Sequence, residues 1–144
     1  MNILVLNGPN LNLLGDRDKN TYGSESLGQI NSGLEKAFPD IQFTFLQSNH
    51  EGELIDAIHN ARDGSFDALI ANWGGFTHSS VAIRDALALL GIPKIEVHLS
   101  NIHGREEFRE RSITGKMMSG IITGFGAISY HLGVEAAKKL ISGS

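Results

Sequence analysis

Residues 94–109 read KIEVHLSNIHGREEFR. Ile95, Val97 and Leu99 alternate with Glu96, His98 and Ser100, the period-two pattern of a strand in which alternate side chains share a face. Three aliphatics therefore point one way, and a carboxylate, an imidazole and a hydroxyl point the other. Neighbours on one face lie roughly 6.5–7 Å apart along the backbone, a gap that a glutamate side chain bridges to a histidine ring. Inner strands of parallel sheets usually read as unbroken apolar runs. Three polar groups on one face mark either a functional site or an edge strand with one wet face.

Outward from this stretch, the chain alternates between short aliphatic runs and helical patterns. Downstream, Arg105–Arg111 is expected to form a short helix and Gly120–Thr123 a fifth strand. Ile128, Leu132, Ala136 and Leu140 mark a last helix, whose paired lysines suit the negative end of the helix dipole. Upstream, Ile83, Ala86, Leu87 and Leu90 lie on one helical face that ends at Gly91 and Pro93. Ser79 or Ser80 is available to cap it. Ala68–Ala71 is a third strand, and Leu54, Ile55, Ile58 and Ala61 mark a helix with Ser48-Asn49 as capping residues. Phe43–Leu46 is a second strand. Ser26 with Gln29 forms a capping-box pattern ahead of Leu27, Ile30, Leu34 and Ala37. Ile3–Leu6 is the first strand.

This order argues an α/β fold with a five-stranded parallel sheet in three layers. The flavodoxin-like order 2-1-3-4-5 is expected, with ligands bound beyond the carboxyl ends of the strands, where the order reverses. The polar segments after strands 1, 3 and 4 (7–22, 72–78 and 98–109) would converge there. Residues 8–25 have no clear period, and so long a loop in a compact domain is usually functional or disordered.

The 144 residues suggest one domain spanning 1–144, with 41% hydrophobic residues, enough for a core. A net charge of -4 and the lack of a basic patch argue against nucleic acid as a partner. Cysteine is absent, which excludes disulfides and thiolate catalysis. No apolar run approaches a membrane span. Met1 leads into NILVLNGPN without a basic n-region, so a cytoplasmic location is expected.

Several residues carry chemistry. Arg17 and Tyr22 lie near glycines in a candidate lid of about residues 15–25 that could close over a substrate. An arginine beside a phenol favours the phenolate and makes Tyr22 a candidate base; packing of a lone aromatic against a surface loop is the alternative. Asn72 and His78 flank a Gly-Gly turn and are either site residues or turn groups. Asp85 sits about 200° around its helix from Ile83, off the core face. It is either solvated or aimed at a partner subunit. Arg105, Arg109 and Arg111 form a solvated face or hold an anion. The six histidines show neither HxH nor HExxH, so no metal is expected. Ser79 and Ser80 lie outside any GxSxG elbow. GxGxxG and GxxxxGK[ST] are both missing, which counts against a phosphate or nucleotide binder.

The segments NGPNLNLLG, R-x4-YG, QSNHEGELID, N-x-GG-x-THSSVAIRDAL and EVHLSNIHGREEFR resemble, in order and spacing, the type II 3-dehydroquinate dehydratases. The match runs from Ile3 to about Gly126. The resemblance implies a flavodoxin-like fold and a hydro-lyase that converts 3-dehydroquinate to 3-dehydroshikimate by anti elimination through an enolate. This step serves the shikimate pathway or quinate breakdown. It further implies no cofactor, and a homododecamer built from trimers.

By that resemblance Tyr22 is the base acting at C2, and Arg17 the lid arginine that keeps it ionised. Asn10 holds a water that stabilises the enolate. His98 is the acid that protonates the departing C1 hydroxyl, and Glu96 orients it. Asn72, His78, Leu99, Ser100 and Arg109 match substrate-binding positions, and Asp85 one that reaches the neighbouring subunit's site. Trp73, Gly75 and Phe76 stand where members commonly carry proline, alanine and tyrosine. Lys19 replaces a frequent lid proline, and Gly104 a usual alanine. A catalytically inactive flavodoxin-like binding module is the alternative. It predicts the loss of Arg17, Tyr22 or His98, and all three are present.

Overall fold

The computed structural model describes residues 1–143. Its strands are β1 (Asn2–Asn7), β2 (Gln42–Gln47), β3 (Ala68–Asn72), β4 (Lys94–His98) and β5 (Gly120–Thr123). All neighbours pair in parallel, in the order β2-β1-β3-β4-β5. The helices are α1 (Lys19–Tyr22), α2 (Leu27–Ala37), α3 (Glu51–Asn60), α4 (Val81–Ala88) and α5 (Ile128–Ser142). The expected topology is therefore the observed one.

The central strands are buried on both faces, which is why β1 and β3 are aliphatic without a break. Ile3, Val5, Ile70 and Val97 pack on one side with Leu34 of α2 and Tyr130 and Val134 of α5. Leu4, Leu6, Leu69 and Ala71 pack on the other with Leu54 and Ile58 of α3 and Ile83 and Leu87 of α4. A one-residue slip in register would exchange these two sets.

Local signals act as read in most places. Ser26 accepts the Gln29 N–H at 3.2 Å, while the Gln29 side chain accepts the Ser26 N–H at 2.8 Å. Ser80, rather than Ser79, caps α4 by accepting the Ile83 N–H at 2.9 Å. Helix α3 begins later than Ser48-Asn49 implied, with His50 as its N-cap residue and no side-chain cap. The Ser48 hydroxyl instead accepts the His50 N–H at 2.9 Å and donates to Glu53 at 2.7 Å.

The edge-strand reading of 94–100 fails, because β4 lies between β3 and β5. Its polar face is roofed by residues 112–117, which pack against α4 and present hydroxyls to the buried Glu96. The single helix expected over 105–111 is reduced to one 3-10 turn, Glu107–Arg109, and a second turn, Ile102–Gly104, precedes it. Residues 8–25 hold a 3-10 segment, Leu11–Asp16, and the short α1, anchored by Leu11 and Leu14 in the core. In α5 the apolar positions 128, 132 and 140 face outward, with Ile128 61% exposed. Tyr130, Gly133, Val134 and Ala137 are buried instead. A strict four-residue spacing precesses about 40° per step, so it drifts off one face, whereas mixed threes and fours stay on it. Among the described residues, no helix is long and apolar enough to cross a membrane.

Candidate active site

The loops after β1, β3 and β4 meet at the carboxyl end of the sheet. Two of them interlock. The Gly8 N–H donates to the Asn72 carbonyl at 2.8 Å. A Cβ at Gly8 would lie 2.3 Å from the Trp73 carbonyl oxygen, so only glycine permits this approach. Gly74 has φ +60° and packs less tightly against Pro9, where a Cβ would meet the carbonyl at 3.1 Å.

Arg17, Tyr22, Asn72, His78, His98, Leu99, Ser100 and Arg109 line one crevice at this junction, with Arg105 and Ile102 beside them. Asn10 and Asp85 do not line it. Asn10 is exposed in the loop after β1, in a left-handed conformation with φ 68° that asparagine tolerates, and its backbone N–H donates to Asn49 at 3.0 Å. Asp85 is exposed on α4.

The candidate lid is a folded piece rather than a free loop. Asp18 caps α1 by accepting from the Asn20 N–H at 3.0 Å and the Thr21 hydroxyl at 2.7 Å. The hydrogen bond from Thr21, then that from Asn20, holds the Asp18 carboxyl below its ordinary range. This geometry places Tyr22 under two guanidinium groups. Arg17 donates to its phenol oxygen at 2.5 Å and lies over the ring with its central carbon 3.8 Å from the centroid. Arg105 donates to the same oxygen at 2.8 Å and to the Ser100 hydroxyl at 3.2 Å. Both donors are cations, so both bonds are charge-assisted.

Across the crevice, His98 Nε2 lies 3.0 Å from Glu96 Oε2. Glu96 is fully buried and receives further bonds from Ser112 at 2.8 Å and Thr114 at 2.5 Å. With a carboxylate fixing Nε2, the other ring nitrogen, Nδ1, is the one left for the crevice. His78 Nδ1 donates to the Arg111 carbonyl at 2.9 Å, and its ring meets Phe108 edge-on. Burial pushes the His78 imidazole below its ordinary pKa, against the pull of that carbonyl. Arg109 is held by Glu106 at 2.6 Å. Among the described residues, no group of three or more His, Asp or Glu side chains is gathered as a metal would require.

The family profile described as dehydroquinase class II matches residues 1–138. This chain belongs to the class II dehydroquinases. The 3-dehydroquinate dehydratase of Pelodictyon phaeoclathratiforme is 49% identical over 137 residues, covering 94% of this chain and 91% of that protein. The 3-dehydroquinate dehydratase 1 of Pseudomonas aeruginosa is 54% identical, covering 94% and 93%. The crystal structure of the type II dehydroquinase from Butyrivibrio crossotus superposes with a TM-score of 0.93 at 44% identity, covering 96% and 97%.

Within this dehydroquinase, the departures from the common pattern separate by location. Trp73 is fully buried among the side chains between the sheet and α3 and α4, and Phe76 packs against the same cluster. Gly75 does line the crevice. A Cβ at Gly104 would meet Asn101 at 3.7 Å, an ordinary contact, so alanine fits there too. Sequence reasoning gave no role to Ser112, Thr114 or Tyr130, and left Arg105 open. The run Arg105–Arg111 was the one available signal for Arg105; nothing local marks the others.

Proposed function

We propose that this chain is a type II 3-dehydroquinate dehydratase that removes water from 3-dehydroquinate by anti elimination through an enolate. The observation that carries the reading is a phenol oxygen held by two guanidinium groups in the same crevice as a carboxylate-backed imidazole. The proton to be removed lies beside a ketone, so the reaction needs a strong base and a group that stabilises the enolate oxygen. Tyr22 serves as the base, with Arg17 and Arg105 stabilising its anionic form. His98, oriented by Glu96, gives a proton to the departing C1 hydroxyl. Asn72, His78, Leu99, Ser100 and Arg109 bind the polyhydroxylated carboxylate. Asn10, in the loop after β1, holds the water that stabilises the enolate once substrate is bound.

The lid, about residues 15–25, closes over the substrate within a single domain. Asp85 acts on the site of a second copy, in a cytoplasmic homododecamer. Its exposure on α4, outside its own crevice, supports that role. The outward-facing Ile128 and Leu132 supply apolar surface for assembly.

The test is incubation with 3-dehydroquinate, following the conjugated enone of the product in the ultraviolet. Absence of that band with folded protein would refute the assignment. The inactive binding module would show ligand binding without the band.

A further inference from the structure

We propose that Tyr130 is a positioning residue that, together with the Gly74 N–H, holds the hydrogen-bonding face Asn72 turns toward a bound ligand. This rests on the reading of Asn72 as a binding group in the crevice. Asn72 closes β3, is 3% exposed and lines the crevice. An asparagine amide fits its cavity in either of two orientations, and only its neighbours choose between them.

Here the neighbours choose. The Gly74 N–H can only donate, and it lies 3.1 Å from Asn72 Oδ1, so the oxygen must face Gly74. Asn72 Nδ2 then lies 3.1 Å from the Tyr130 hydroxyl and donates to it. A hydroxyl accepting on that side sends its own proton elsewhere, and Asn7 Oδ1 receives it at 2.5 Å. Tyr130 is fully buried, and that burial pushes its phenol well above the ordinary range, so it keeps the proton it must donate. The relay ends at Asn7, whose Nδ2 is buried without a partner. Turning the Asn7 amide over would aim two N–H donors at the phenol oxygen and leave the phenol proton with no acceptor. The relay therefore has one direction.

The consequence lies in the crevice. One hydrogen of the Asn72 amide goes to Tyr130 and the oxygen goes to Gly74, so a single N–H remains. It selects an oxygen acceptor on the ligand, a carboxylate, carbonyl or hydroxyl. Tyr130 takes up the other amide hydrogen from α5, 58 residues away in the chain, without touching ligand.

Tyr130→Phe keeps the ring and removes only the oxygen. The KM for 3-dehydroquinate should rise roughly three- to tenfold, the worth of one neutral hydrogen bond, with a smaller fall in kcat. In an Asn72→Ala background the same replacement should change KM no further. The Asn72 side-chain amide resonances of nitrogen-15-labelled protein should shift, and their protons should exchange faster with solvent. An unchanged KM, an additive effect in the Asn72→Ala background, or unmoved amide resonances would each overturn the proposal. If the wild type fails to dehydrate 3-dehydroquinate, the lyase assignment falls by itself, and the amide resonances still decide the role of Tyr130.

Discussion

Arg105 donates to the phenol oxygen of Tyr22 at 2.8 Å, although 83 residues of chain separate them. Tyr22 is thus joined to the loop after β4 as well as to Arg17 in its own loop. Replacing Arg105 by methionine removes one of two cationic donors while keeping the length of the stem. A charge-assisted hydrogen bond contributes about 1.5–3 kcal/mol, so kcat/KM should drop at least tenfold. Steady-state kinetics on that variant and on Arg105→Lys checks this, with the lysine recovering only part because it lacks the planar fork.

Tyr22→Phe should abolish turnover while leaving fold and ligand binding in place. General base catalysis contributes about 10²–10⁴-fold, and nothing else in the crevice is similarly poised to take the proton. Calorimetric binding alongside the enone assay separates the two effects. A variant that keeps more than a small fraction of wild-type turnover would assign the base elsewhere. Arg17→Lys should also fail, since it loses both the fork and the stacking on the ring.

Thr114→Val should lower both stability and kcat. It removes a hydroxyl from a fully buried carboxylate and leaves an acceptor lobe of Glu96 unfilled. An unmet buried acceptor costs about 1–3 kcal/mol, measurable by urea denaturation. The fall in kcat follows from looser aim of His98, so it should exceed any change in KM.

His78 makes stability depend on pH with a fixed sign. Its folded-state pKa is depressed, chiefly by burial, with His98 and Arg109 pushing the same way and the Arg111 carbonyl and Glu96 opposing. The unfolded chain therefore takes up this proton first. Full stability holds above the ordinary value of 6.5 and is lost as pH falls from there toward the depressed folded value. Thermal melts of wild type and His78→Gln on both sides of that window test it: the variant should lose less on acidification.

The sheet was legible because burial on both faces leaves an unbroken aliphatic signature in β1 and β3, and capping serines mark α2 and α4. Glu96 and His98 were legible because a strand forces residues two apart onto one face. Arg105, Ser112, Thr114 and Tyr130 were not. Their partners are distant in the chain, and a hydroxyl that fills a carboxylate lobe looks like any surface serine or threonine until the fold is closed. The buried face of α5 is hidden for a related reason: the leucines and isoleucine that stand out as apolar face outward, while a glycine and an alanine sit against the sheet.

The roof over β4 bears on when the protein becomes competent during its own synthesis. A nascent chain that has emerged as far as Arg111 already contains Arg17, Tyr22, Asn72 and His98. It lacks Ser112 and Thr114, which hold Glu96, and Tyr130, which holds Asn72. On the proposed assignment the reacting groups are translated early and the parts that aim them arrive last, so activity should switch on only as the C-terminal strand and helix dock.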